Sequence, residues 1–242
     1  MRLVARLGHG GRRPRRLSRR ALLPLILAAA SLSKLPVAAA ATEAASDAAA
    51  GPIAELQAGL LAQMKAGRAV PFATRYARLA PLIERVFDLP FILRVSVGQR
   101  WTELAQDDRT RLLDAFRSYT VSSYATNFDS YRGERFVILP DKRSVEEKVV
   151  VATEIVPSSV TPTRLDYVLR PEEGEGAVRW KAIDVLLDGS ISQVAVQRSE
   201  FQGLLAAGGA AKLIAALRRK TADLAAGAHS APAGTAAAGA PR

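Results

Sequence analysis

The chain contains no cysteine, which excludes disulfide bonds, thiolate nucleophiles and cysteine-ligated metals. Histidine is almost as scarce, since only His9 and His229 occur, both near the ends of the chain. The sequence between them therefore excludes a serine–histidine–aspartate triad and a histidine-ligated zinc. Its Gly174-Glu175-Gly176 segment lacks the lysine and the serine or threonine of a phosphate-binding loop. We expect no catalytic residue, no metal and no cofactor.

Acidic residues are absent from the first forty positions, which contain eight arginines and one lysine. The formal net charge of +11 therefore belongs mostly to this segment. Removing its nine basic residues from the total of 34 leaves 25, against 23 acidic residues. The rest of the chain is close to neutral and has no long basic run, which argues against a nucleic-acid-binding protein.

Residues 1–40 have the pattern of a secretory signal peptide. A basic start is followed by an apolar stretch at 21–30 and by three small residues at 38–40. The apolar stretch is shorter than the roughly 20 residues that a transmembrane helix needs. The arginine pair Arg19-Arg20 is also typical of the twin-arginine signal, so both bacterial export routes remain open. We expect an exported protein.

Composition divides the remaining chain into three parts. Residues 41–51 are rich in alanine and are predicted to form a linker. Residues 52–225 are long enough for one domain with a sizeable core. Residues 226–242 contain alanine, glycine and proline without apolar periodicity, which predicts a disordered tail.

Apolar residues recur at helical spacing in the first half of the domain. The pattern predicts a helix from Ile53 to Gly67, a second over 72–87 that Pro81 kinks or breaks, and a third that Asp88 caps. A longer helix is predicted from Asp107 or Asp108 to about Asp129. Two further helices, separated by glycines 208–209, are predicted over 194–224.

Between these helices the apolar period changes to two. Four strands are predicted, over 134–139, 147–156, 164–170 and 178–187, with short connections that favour an antiparallel meander. In the third strand Leu165, Tyr167 and Leu169 share one face. The expected fold class is therefore α+β, with N-terminal helices, a twisted antiparallel sheet of about four strands and C-terminal helices. An apolar cavity between sheet and helices is one expectation and an ordinary packed core is the alternative.

Several blocks of the sequence resemble one protein family. Residues 183–205 combine an Asp-Val strand end, an Asp-Gly turn and an Arg-Ser-Glu-Phe helix start. Phe87-Asp88-Leu89-Pro90, Tyr124–Phe128 and Tyr131–Glu134 follow the same family pattern in the same order. Together these blocks resemble the MlaC family of periplasmic lipid-binding proteins over roughly residues 53–224. Gln197, at a position where the general branch tends to have an aromatic residue, is closer to the hopanoid-associated HpnM branch.

The resemblance implies a soluble periplasmic carrier that binds a hopanoid or a phospholipid in an apolar pocket. A monomer is the simplest state for such a shuttle, and the oligomeric state is open. Such a carrier exchanges its lipid with membrane-bound transporter complexes of the inner and outer membranes and catalyses no covalent reaction. The pocket is expected to use aromatic and apolar residues of the long helix, the sheet and the C-terminal helix. The predicted lining is Phe116, Tyr124, Phe128, Val149, Val151, Leu165, Tyr167, Leu169, Trp180, Val194 and Phe201.

Other interpretations remain open beside the hopanoid carrier. One is a general phospholipid shuttle of the same family, and another is a periplasmic scaffold whose core is filled. A hydrolase that uses two carboxylates is disfavoured, because Glu146-Glu147 and Asp107-Asp108 are adjacent pairs whose side chains diverge on a strand or helix. A structural ion pair between Asp184 and Arg198 is also expected.

Overall fold

Helices lie at both ends of the folded region and strands lie in the middle, which confirms the α+β class. The computed structural model describes residues 36–158, 161–172 and 178–230. Most of the expected signal peptide, residues 1–35, lies outside the described residues. The helices are α1 (Pro36–Ala66), α2 (Phe72–Val86), α3 (Leu89–Val97), α4 (Gln106–Asn127) and α5 (Gln193–Ser230), with a 3₁₀ helix at Gly98–Glu103. The strands are β1 (Arg135–Val145), β2 (Lys148–Val156), β3 (Thr163–Glu172), β4 (Arg179–Leu187) and β5 (Ile191–Ser192).

Helix α1 begins well before the predicted start. Residues 41–51, expected to form a linker, are helical and continuous with the stripe that begins at Ile53. Alanine has the highest helix propensity of all residues, so an alanine-rich segment extends a helix that packing already holds in place. Ala49 and Ile53 are both fully buried, which shows that this helix packs against the core before residue 52.

Pro81 does not break α2, contrary to expectation. The helix runs without interruption from Phe72 to Val86 with Pro81 inside it. Proline leaves the carbonyl four residues earlier, that of Ala77, without an intrahelical donor. Both residues are exposed, so water can satisfy that carbonyl at low cost. The predicted cap of α3 is confirmed, because the Asp88 carboxylate accepts a hydrogen bond from the Phe91 amide at 3.0 Å.

The strands form one antiparallel sheet in the order β1-β2-β3-β4-β5. The meander was predicted, but β5 is an addition to the four expected strands. Strand β1 also continues through Pro140, where a break was expected. The register shifts between Ile138 and Lys142 instead, which fits a residue that has no amide hydrogen for the ladder.

One face of the sheet is covered by helices. Val149 lies opposite Leu169, and Val151 lies opposite Tyr167, so these four side chains share that face. The predicted alternation in β3 is therefore confirmed. Helix α1 contacts β1, β2 and β4, and α4 packs mainly on α5.

Helix α5 is interrupted where two helices were predicted to meet. Gly209 has a φ of 63°, which is not a helical value, so the helix is interrupted at this residue. The second segment continues to Ser230, so residues 226–230 are helical rather than part of a disordered tail. Residues 231–242 lie outside the described residues.

Candidate functional site

Five aromatic side chains form a continuous row between the sheet and the helices. Tyr167 of β3 contacts Phe87 at a ring-centroid distance of 6.3 Å, and Phe87 contacts Tyr124 of α4 at 5.7 Å. Tyr124 stacks on Phe128 at 5.7 Å, and Phe128 contacts Phe136 of β1 at 6.1 Å. We call this set the aromatic row; it crosses from the third strand to the first.

Local structure explains how these rings meet. Tyr124 lies in the last turn of α4 and Phe128 is the C-cap residue, whose amide donates to the Tyr124 carbonyl at 3.1 Å, so the two rings lie close together. Phe87 follows α2 in an extended conformation, with φ −100° and ψ 142°. The Asp88 amide donates to the Ala182 carbonyl at 2.9 Å, which holds Phe87 against β4. This backbone contact therefore positions Phe87, the residue that joins Tyr167 to Tyr124 in the row.

Most of the predicted lining belongs to the same core as the row. Tyr167, Leu169 and Trp180 are buried, as are Val149 and Val151. The rest of the predicted set divides between two places. Tyr124, Phe128, Leu165 and Val194 are partly buried against this core, whereas Phe116 and Phe201 pair edge-to-face at 6.2 Å across α4 and α5.

Two members of the row, Phe87 and Phe136, were not predicted as site residues. Phe136 could have been found, because it is the one aromatic residue of the predicted strand over 134–139. Phe87 had no such signal, because its position depends on a bridge to Ala182, nearly a hundred residues away.

The two tyrosines of the row are held in their neutral form. Burial raises the pKa of Tyr167 above its usual value near 10. Tyr124 is half-buried, and desolvation by burial raises its pKa too. The nearby Tyr167 adds a smaller contribution in the same direction. Each hydroxyl can therefore donate a hydrogen bond inside an otherwise apolar layer.

Two cavities lie elsewhere on the molecule. One of about 350 Å³ lies at the C-terminal end of α1, and one of about 460 Å³ lies beside the turn between β1 and β2. None of the predicted lining residues borders either cavity. At the aromatic row, the protein's own rings occupy the space between sheet and helices.

The expected pair between Asp184 and Arg198 does not form within the described residues. The Asp184 carboxylate instead accepts hydrogen bonds from the Ser192 hydroxyl at 2.5 Å and the Val194 amide at 3.1 Å. It thereby fixes the start of α5, where an anion is favoured by the helix dipole. Arg198 lies beside Gly98 of the 3₁₀ helix.

Within the described ranges, no group of three or more histidine, aspartate or glutamate residues is placed to hold a metal. In the same part of the chain, no helix is long and apolar enough to cross a membrane.

Comparison with known proteins agrees with this geometry. The fold is similar to that of a phospholipid-binding protein from Ralstonia solanacearum, solved in complex with a phospholipid, at a TM-score of 0.63 and 20% sequence identity. The match covers 73% of this chain and 98% of that one, and at this identity it shows a shared fold alone. No curated protein matches the sequence. A family model described as MlaC protein matches residues 55–219, which is more than half of the chain, and the protein therefore belongs to the MlaC family.

Proposed function

We propose that the protein is a periplasmic lipid carrier that takes up the apolar part of a lipid at the aromatic row. The observation that carries this proposal is the row itself. It lines the interface of sheet and helices with five rings, and it contacts Leu165 and Val185 of the apolar sheet face through one core. Membership of the MlaC family, and the phospholipid bound by a protein of the same fold, support it.

The energetics favour such a carrier without any charged or metal-binding group. Each CH₂ group removed from water contributes about 0.8 kcal/mol, so burial of an acyl chain in an apolar site favours binding. The rings that fill the interface must separate to admit a lipid, and lipid contacts then replace ring contacts. The neutral hydroxyls of Tyr124 and Tyr167 supply hydrogen bonds to a carbonyl or hydroxyl group of the lipid.

Two classes of lipid are candidates for the cargo. The position of Gln197 favours a hopanoid, whereas the lipid of the similar structure favours a phospholipid. We expect the carrier to work as a monomer between inner- and outer-membrane complexes and to catalyse no reaction.

The direct test is to identify the bound lipid. The mature protein is purified from a host that contains the native membrane and extracted with organic solvent, and the extract is analysed by mass spectrometry. A stoichiometric hopanoid or diacyl phospholipid supports the carrier and names its cargo. A folded protein without lipid above background contradicts it.

Substitutions on the two faces of the sheet test where the lipid binds. Leu165→Asp places a charge on the face that packs against the core, and we expect it to abolish lipid retention. Val156→Asp is the matched control, because Val156 is also partly buried but lies opposite Arg135 on the other face. Circular dichroism verifies that both variants are folded, with Leu165→Gln as the milder replacement. A folded Leu165→Asp protein that keeps its lipid would show that the row is not the site.

A scaffold protein remains the second candidate function. The observation that favours it is the close contact of the rings at the interface of sheet and helices. The scaffold function predicts that Leu165→Asp unfolds the protein and that no lipid is extracted from the wild type.

A further inference from the structure

The cavity of about 350 Å³ is lined mainly by basic and polar residues. It opens where α1 and α4 end and where the chain approaches β1. Its cationic side chains are Lys65, Arg68 and Arg132, and the acidic residue Asp129 also lines it. We call it the cationic cavity, and its complete lining is Met64, Lys65, Gly67, Arg68, Asp129, Ser130, Tyr131 and Arg132.

A buried arginine behind the cavity increases this positive charge. Asp129 is 3% exposed, and its Oδ2 atom accepts from Arg68 Nε at 2.9 Å and lies 3.5 Å from Arg75 Nη1. Arg75 is only 1% exposed, and neither its Nε nor its Nη1 atom has a hydrogen-bond partner. One carboxylate thus faces two guanidinium groups. Because an uncompensated buried charge is costly, an additional anion would stabilise this arrangement.

Among the described side chains around the rim of the cavity, positive charges outnumber negative ones. Lys65 Nζ lies 5.5 Å from the ring centre of Tyr131, at the mouth of the cavity. Glu134 is a second acid nearby, and its carboxylate accepts from the Arg132 amide at 2.5 Å. With Glu134 and the buried Arg75 included, the described residues named here comprise four cationic side chains and two carboxylates.

We propose that the cationic cavity binds an oxyanion of the phosphate class, either free phosphate or the phosphate of a lipid headgroup. Guanidinium groups match phosphate oxygens in geometry and form short, charge-assisted hydrogen bonds. The volume lies within the range of small-ligand sites, and the Ser130 side chain adds a hydroxyl. Phe128 of the aromatic row directly precedes Asp129, so a lipid at the row can extend its headgroup into the cavity. This headgroup source rests on the proposed function, whereas the free-phosphate source does not.

The first experiment titrates inorganic phosphate into the folded protein. Calorimetry measures the dissociation constant and a thermal melt measures the shift in Tm, both against sodium chloride at equal ionic strength. In the double variant Lys65→Gln/Arg132→Gln we expect binding about tenfold weaker, because hydrogen bonds to charged groups are lost. Both residues are exposed, so the variant should fold. Lys212→Gln/Arg218→Gln, an equal charge change on the exposed side of α5, is the control and should bind as the wild type does.

The opposite change sharpens this test. Asp129→Asn removes the competing carboxylate while keeping the side-chain shape, so phosphate should raise the Tm of this variant more than that of the wild type. An equal or smaller shift in a folded variant counts against the site.

The second experiment separates the two sources of phosphate. Uptake of labelled phosphatidic acid from phosphatidylcholine vesicles is compared with uptake of diacylglycerol that has the same chains. A preference for phosphatidic acid that disappears in Lys65→Gln/Arg132→Gln assigns the cavity to a lipid headgroup. A phosphate response that disappears in this variant, without any lipid preference, assigns it to free phosphate.

The experiments distinguish an error in the phosphate-binding proposal from an error in the lipid-carrier proposal. Equal uptake of both lipids by wild type and variant, with no phosphate response beyond that of chloride, overturns the cationic cavity and leaves the carrier intact. Phosphate binding that is lost in the variant, in a protein that takes up neither lipid, overturns the carrier and leaves the cavity.

Discussion

At the residue scale, the two tyrosines of the aromatic row make the free energy of unfolding depend on pH. Their pKa values are raised because burial disfavours the phenolate. A group whose pKa is higher in the folded state contributes its full stability below the unfolded pKa, near 10, and loses it as the pH rises towards the folded value. The free energy of unfolding should therefore fall above pH 10, by up to about 1.4 kcal/mol per pH unit for each tyrosine.

Denaturant titrations between pH 9 and 12 measure this loss. Tyr124→Phe and Tyr167→Phe should each make the decline shallower, because one ionisable group is removed from the buried layer. Tyr131→Phe, a change at a 42% exposed side chain, is the control. An identical decline in the wild type and both row variants would contradict this prediction.

Asp129 shows how strongly burial changes the contribution of an ion pair to the free energy of unfolding. Asp129→Asn removes the carboxylate that pairs with Arg68 and with the buried Arg75, and we expect a loss of about 3 kcal/mol in the free energy of unfolding. Glu55→Gln breaks a pair with Arg85 whose two side chains are at least half exposed, and it should cost about 0.5 kcal/mol or less. Urea unfolding of both variants gives the comparison. Equal losses would show that Asp129 is not effectively buried.

At the element scale, helix α5 contains two glycines that an alanine would affect in opposite ways. Gly203 lies inside the helix and Gly209 at the break, and an added Cβ would have nothing within 4 Å at either position. Gly203→Ala should stabilise the protein by about 0.5–1 kcal/mol through helix propensity. Gly209 has φ 63° and ψ −159°, a region reserved for glycine, so Gly209→Ala should destabilise it by about 1–3 kcal/mol.

Because neither substitution creates a contact, thermal melts of the two variants isolate the effect of backbone conformation. Changes of the same sign in both would show that the break is not held in its present geometry.

The elements differ in how far the sequence predicted them. Apolar period two predicted β2, β3 and β4 closely, since each strand has one face against the core. The start of α1 was missed because alanine-rich sequence is compatible with both a linker and a helix, and only packing of Ala49 decides between them. Pro81 was misjudged because its cost depends on whether the helix face it occupies meets water.

At the scale of the whole molecule, lipid binding and stability should be coupled. A lipid that binds the folded state alone raises the free energy of unfolding, by about 2.7 kcal/mol at a hundredfold excess over the dissociation constant. We therefore expect the Tm of delipidated protein to rise with added lipid, and the rise to be absent in folded Leu165→Asp. Calorimetric melts at several lipid concentrations measure it. A Tm independent of lipid would favour the scaffold.

The fold class, the meander, the apolar face of β3 and the resemblance that the family match confirmed could all be predicted before folding was considered. These follow from local periodicity and from motifs that are continuous in the chain. Three-dimensional packing was needed to show that Phe87 and Phe136 complete the aromatic row, and that Arg68 and Arg75 share Asp129. The reason is physical: these contacts join distant segments, and their energies depend on burial, which a residue's neighbours in sequence do not reveal.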